Sequence, residues 1–259
     1  MKRSVSVIVA THKRYWMPQD SCYIPIHVGK EGKEDIGFLG DDTGENISAK
    51  NPYYCELTGL YWGWKNLNVD YIGLAHYRRH FSIVPWYKSI FRDKKKYVLT
   101  EKELNHLLDK VDVIVPKKRN YFIENVYTHY MHTHYPEPLE ETRKIIEKKY
   151  PEYVEAFDKV MKRKSAHMFN MYIMKKDISD QYCKWLFDIL LQLESSIDIS
   201  SYNPFQARVY GRISELLLDV WLFKNEIQYK EIPVLHIEKV NWLKKGKKFL
   251  KSKFLRQYY

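Results

Sequence analysis

Cysteine is scarce in this sequence: Cys22, Cys55 and Cys183 are odd in number and far apart. Neither a disulfide framework nor a zinc cluster can be built from them, and a reducing cytoplasm is the natural setting. Long hydrophobic runs are missing too. No stretch approaches the ~20 apolar residues that span a bilayer. The short apolar segment that follows Met1-Lys2-Arg3-Ser4 is cut off by Thr11, His12, Lys13 and Arg14, too early for a signal peptide. The expectation is a protein that is soluble or rests on a membrane surface. There is no internal repeat and no low-complexity tract, and the 259 residues suit one large domain with or without an appendage. Zinc-finger spacing, an RNA-recognition motif and a continuous basic zipper are all lacking, so nucleic acid is not the expected partner.

Aromatics and positive charge are abundant. The chain carries 22 Tyr and 7 Trp, side chains that suit both cores and the stacking of bases or sugars. Its formal net charge of +11 favours anionic partners, phosphorylated small molecules and anionic lipid among them. Residues 94–96, residues 117–119 and the final twenty residues hold much of that charge.

The hydrophobic pattern predicts strands early and helices late. SVSVIVA (residues 4–10), residues 24–28, YIGLA (71–75) and residues 111–115 read as buried strands, several ending in polar loops. Residues 53–66 read as one helix despite Gly59 and Gly63, and residues 100–109 as a helix with Thr100 and Glu103 in capping-box positions. Residues 29–51 read as a long ordered loop. Helical periodicity dominates residues 140–149, 153–163, 179–194 and 210–223, with late strand candidates at 167–174 and 228–233. Alternating elements of this kind predict an α/β fold, an open sheet that binds ligands at its strand ends, with a helix-rich C-terminal half.

Several residues stand out as chemistry. Thr11, His12 and Lys13 end the first strand. His76, Tyr77, Arg78 and Arg79 end another, and arginines fixed at a strand terminus can clamp phosphate oxygens bidentately. Asp41 and Asp42, in GDDTGEN, could meet a hard cation or a substrate, or could simply make a turn; the turn is the better reading. His129, His132 and His134 lack the partners of a zinc site, so polar contacts from His132 and His134 to substrate are expected instead. His167 and Asn170 are polar exceptions in an apolar run, where Asn170 needs partners. Met168, Met171 and Met174 read as core. Arg208, Arg212 and Glu215 share one helical face, as a salt bridge or as a base held beside a phosphate clamp.

These residues lie in stretches that together resemble the DUF4422 family of bacterial capsule and exopolysaccharide clusters, related to glycosyltransferase family 111. The stretches are THKRYWMP, YIPIHVG, GDDTGENIS, KNPYYCELTGLYWGWKN, DYIGLAHYRRHF, DVIVPKKRNY, AHMFNMYIMKK and FQARVYGRISELLL, which has Phe205 where the family usually has Tyr. The resemblance spans nearly the whole chain. It implies a GT-A-like fold over residues 1–239, with a nucleotide-binding N-terminal half, and transfer of galactose, or its furanose form, from UDP to a glycan or lipid-linked acceptor. Ordinary GT-A enzymes hold Mn²⁺ with an Asp-x-Asp motif after a central strand. The strand end that looks equivalent here carries His76-Tyr77-Arg78-Arg79, so Thr11, His12, Lys13 and that cluster are expected to bind nucleotide and diphosphate with no metal required, although Mn²⁺ and Mg²⁺ stay open. Glu215 is the expected base and Asp42 its alternative; Asp41, His132, His134, Asn170, Arg208 and Arg212 are expected sugar contacts. A non-enzymatic protein that binds an anionic polymer, polysaccharide or nucleic acid, is the competing class.

Residues 240–259 interleave Trp242, Leu243, Phe249, Leu250, Phe254 and Leu255 with basic residues, the composition of an interfacial amphipathic helix. The expectation is a cytoplasmic enzyme, peripheral at the inner face of the membrane, with a tail that touches anionic lipid. The alternative is a solvated basic end packing its aromatics on the domain.

Overall fold

The computed structural model describes residues 3–89 and 92–238. Among these residues the strands are β1 (Val5–Thr11), β2 (Tyr23–His27), β3 (Leu39–Gly40), β4 (Tyr71–His76), β5 (Arg79–Phe81), β6 (Val113–Pro116), β7 (Arg119–Asn120), β8 (Ser165–Ala166), β9 (Tyr172–Lys175), β10 (Lys230–Ile232) and β11 (Val234–His236). The α-helices are α1 (Asn51–Tyr54), α2 (Leu57–Asn66), α3 (Glu101–Leu108), α4 (Val126–Thr133), α5 (Glu137–Lys149), α6 (Val154–Met161), α7 (Lys176–Ser196) and α8 (Val209–Lys224). The expected basic tail lies outside the described residues.

The main sheet runs β10-β6-β9-β4-β1-β2-β3, with β5 and β11 paired beside β4. β1 is parallel to both β2 and β4, whereas β9 enters antiparallel between β4 and β6. β1 is buried along almost its whole length because the sheet is covered on both faces. Its side chains alternate between two cores. Ile8 and Ala10 join Leu57, Leu60, Leu186, Leu190 and Leu217 from α2, α7 and α8. Val7 and Val9 join Leu104 and Leu107 of α3. This is the expected α/β open sheet. Its last strands come from the C-terminal end of the described chain, so both halves of the sequence share one sheet.

Local sequence explains the helix positions. Thr100 and Glu103 form the capping box that starts α3. Gly59 and Gly63, weak helix formers, occupy the face of α2 that meets the sheet: a Cβ at Gly63 would lie 2.2 Å from Ile8 Cδ1, and one at Gly59 2.8 Å from Val28. Glycine here allows the helix to approach the strands.

Three expectations need correction. The single helix expected over residues 53–66 is two helices broken at Cys55, whose φ is 56°. Gly211 of α8 presses on this break, because a Cβ there would lie 3.2 Å from Cys55. The strand expected over residues 167–174 shrinks to β9, because Phe169 and Asn170 take φ of 78° and 54° and cannot be extended. Helix α4 was not foreseen; Asn125 and Thr128 form its capping box, while its buried stripe is only Val126 and Tyr130. Among the described residues no helix is long and apolar enough to cross a membrane.

Candidate active site

In this sheet the C-terminal ends of β1 and β4 and the N-terminal end of β9 reach the same edge, since β9 runs against β4. Open α/β sheets bind ligands at such an edge. A cavity of about 550 Å³ lies there, between the strand ends, the α1–α2 break, α4 and the first turns of α8. Five arginines line it, Arg78, Arg79, Arg119, Arg208 and Arg212, against two carboxylates, Glu56 and Glu215. The excess of guanidinium makes the cavity a receptor for anions.

A turn at its base organises the carboxylates. Phe169 N–H donates to Glu215 Oε1 at 3.1 Å, and Asn170 Nδ2 donates to Glu56 Oε1 at 2.8 Å. Between them the Phe169 carbonyl accepts from His76 Nε2 at 2.6 Å. Asn170 Nδ2 also donates to the Gly211 carbonyl, and Asn170 Oδ1 accepts from Ser214. Two consecutive residues with positive φ are strained for ordinary side chains. The turn is held because each of its polar groups is committed to a neighbour, and it fixes three cavity residues at once.

Burial and the nearby Glu56 charge push the Glu215 carboxyl up from an ordinary 4.5 to about 7, opposed by Arg79 and Arg119. Burial lowers the His76 pKa despite Glu56, whose Oε1 is 3.8 Å from Nε2. His134, buried beside Arg212, is held down to about 3, so it is neutral and its Nδ1 donates to Gln206 Oε1 at 3.1 Å. Arg212 is lowered to about 10 by burial and Arg208. Its guanidinium donates to the Phe205 carbonyl and Gln206 Oε1 and stacks over the Phe205 ring. Arg208 donates Nε–H to Cys55 Sγ at 3.0 Å. Arg79 stacks over Phe169 at 4.4 Å, and its buried Nε makes no hydrogen bond within the protein. That leaves a guanidinium donor available to a ligand oxygen.

The fold brings His12, His76, Tyr77, Arg78, Arg79, His134, Arg208, Arg212 and Glu215 to the cavity. His129, Met168 and Phe205 line it as well, whereas Thr11, Lys13, Asp41, Asp42, His132, His167 and Asn170 are absent from its lining. Thr11 is buried and closes a turn, donating to the Lys13 carbonyl. Lys13 stands at the rim, 5.0 Å from the Tyr77 ring. Asp41 is fully buried and accepts from Gly29 N, Lys30 N and Ser48 Oγ, so it is a turn residue without a free face. Asp42 is exposed on the same loop. His132 and His129 both engage Glu124, and only His129 reaches the cavity. Asn170 acts from behind, through Glu56. His167, the other polar exception, is buried between Asp219 and Glu231.

Glu56, Arg119 and Tyr121 were missed. Glu56 sits in a stretch whose helical pattern concealed the break, and no periodicity marks Arg119 among its basic neighbours. Among the described residues no group of three His, Cys, Asp or Glu could hold a metal ion. The two carboxylates of the cavity are tied to the 169–170 turn and stand among five guanidiniums, a setting that suits an anion better than a hard divalent cation.

One solved structure, titled as the apo form of WbbM, a bifunctional glycosyltransferase, superposes with a TM-score of 0.83 at 33% sequence identity. The match covers 91% of this chain and 46% of that one, so the chain spans less than half of the larger protein. No curated protein matches. A family model described as a domain of unknown function, DUF4422, matches residues 6–226, and the chain belongs to that family.

Proposed function

We propose that the chain is a glycosyltransferase that takes a sugar, galactose or galactofuranose, from a UDP donor and passes it to a glycan acceptor in surface-polysaccharide synthesis. The observation that carries this reading is one cavity, at the strand ends, that combines a cluster of arginines with a carboxyl poised near 7. The likeness to WbbM supports it.

In this reading Arg78 and Arg79 take the diphosphate oxygens, and Glu215 accepts the proton of the acceptor hydroxyl as its oxygen attacks the anomeric carbon. The bond from that carbon to the diphosphate breaks and UDP leaves, its new charge held by guanidinium rather than by a metal ion. No step uses a metal. A carboxyl titrating near 7 suits the role, since a base works best when its pKa lies near the working pH.

Calorimetry with UDP, followed by a panel of UDP-sugars with the product's anomeric form read by NMR, tests this reading. UDP binding and transfer that persist in EDTA are the expected result. Failure to bind UDP at millimolar concentration, with tight binding of an oligonucleotide or acidic polysaccharide instead, overturns the enzyme. Loss of turnover in EDTA with recovery on Mn²⁺ overturns the arginine clamp alone.

A further inference from the structure

The loop that joins β7 to α4 inverts the usual placement of polar and apolar groups. Glu124 is 4% exposed, turned inward to His129 and His132, while Phe122 and Ile123 beside it are 76% and 71% exposed. Folding removes a carboxylate from water here and leaves two large hydrophobic side chains in it, the reverse of what solvation favours. Looseness does not explain this. β7 pairs with β8, Tyr121 N donates to the Lys164 carbonyl, Val126 N donates to the Arg163 carbonyl, and Asn125 caps α4. At the tip Phe122 takes φ of 58°, and Ile123 N bonds back to the Tyr121 carbonyl, so a tight turn directs both side chains outward.

The surroundings select an occupant. Lys117 and Arg119 are exposed just before the tip, and Tyr127, in the first turn of α4, is 39% exposed. Adjacent apolar side chains behind a basic collar complement an anionic bilayer, whose interface takes up the hydrophobic tip while its headgroups meet the cations. A soluble glycan would offer no home for Ile123. The loop is also part of the cavity mouth, since Arg119, Tyr121 and Val126, on either side of the tip, line the cavity.

We propose that the Phe122–Ile123 tip is a membrane-docking element that inserts into the interface of an anionic bilayer and turns the mouth of the cavity toward it. In sequence the tip is distinct from the basic tail at residues 240–259, which lies outside the described residues. Its functional sense rests on the transferase reading with a lipid-carried acceptor; its binding to lipid does not.

The test uses the full chain with vesicles of phosphatidylcholine, alone or mixed with phosphatidylglycerol, and flotation as the readout. Full-length protein floats with the mixed vesicles and much less with the neutral ones. The double variant F122S/I123S lowers the partition coefficient about tenfold or more, since it removes both apolar anchors. K117E lowers it less and chiefly in the anionic mixture. F122S/I123S leaves UDP affinity unchanged, because neither side chain lines the cavity, and its melting temperature reports that the fold is intact. Three results overturn the proposal: no flotation of the full chain on anionic vesicles, equal flotation of F122S/I123S, or concentration-dependent dimerisation of the full chain that F122S/I123S abolishes while flotation stays unchanged. Absence of UDP binding in otherwise floating protein would instead count against the transferase reading.

Discussion

Two acidic regions of this molecule invite the same chemistry, and their surroundings differ. In the 40–46 loop, the buried Asp41 accepts from two backbone amides and a serine hydroxyl. At the cavity floor, Glu215 accepts from one backbone amide and otherwise faces a crowded, poorly solvated space shared with Glu56. Oxygens taken up by several donors make Asp41 a joint. Burial and a like-charged neighbour raise the proton affinity of Glu215, the property the proposed base needs. Acidity in the sequence does not separate the two cases; the surroundings of each carboxylate do.

The largest effect that would sharpen this comparison is expected at Glu215. Glu215→Gln should lower transfer by about 10²–10⁴-fold while UDP affinity is kept, since a general base contributes on that scale. Calorimetry and initial rates on the same preparation check it, and full activity would remove Glu215 from the mechanism. The same variant tests linkage. The folded pKa of Glu215 is raised, so the stabilisation from its protonated form is complete below 4.5 and is lost as pH rises through about 7. The melting temperature of Glu215→Gln should therefore exceed that of the parent more at pH 8 than at pH 4.5.

Next comes the anion side of the cavity. Arg79→Ala should weaken UDP binding about tenfold to a hundredfold, the scale of a lost charged hydrogen bond. Lysine should restore little, because it lacks the planar fork and the stacking on Phe169. Titration calorimetry decides it, and wild-type affinity in Arg79→Ala would break the clamp.

Asp41→Ala reverses the pattern. It strands three donors, two of them buried, and should cost about 1–3 kcal/mol of stability, with UDP affinity per folded molecule unchanged. Denaturant titration and calorimetry together separate the outcomes, and a large loss of affinity at full stability would move the acidic loop back toward the substrate.

The smallest effect is expected at Glu56. Glu56→Gln keeps an oxygen for Asn170 but removes the charge that helps raise Glu215. The rising limb of the pH–rate profile, expected near 7 in the parent, should move to lower pH. The groups facing Glu215 would then be Arg79 and Arg119, which favour its anion, and the Phe169 amide. An unmoved limb would mean that burial alone sets the proton affinity of Glu215.

Glu56 also shows where the sequence stops being legible. Arg208, Arg212 and Glu215 were visible as one face because helical spacing is a local rule, and α8 keeps them on the cavity wall. Arg78 and Arg79 were visible for a similar reason, as polar residues where an apolar strand ends. Glu56 follows a break in the chain at Cys55, and that break packs closely against Gly211, more than 150 positions later in the chain. The same holds for the turn at Phe169 and Asn170: its strain is supported by Glu215, Glu56, His76 and Ser214, and none of these partners is adjacent in sequence.

The α/β class, the buried strands that became β1 and β4, most helices and the arginine-rich strand end are legible in the chain alone, because periodicity and β-branched runs act over a few residues. Helix α4 escaped because its buried stripe is short and its aromatic and histidine side chains carry no clear period. Tertiary structure alone decided which carboxylate is a joint and which is poised as a base, and that Phe122 and Ile123 face outward while Glu124 faces in. Donor counts, burial and electrostatic neighbours are assembled from distant segments, so only the folded chain brings them together.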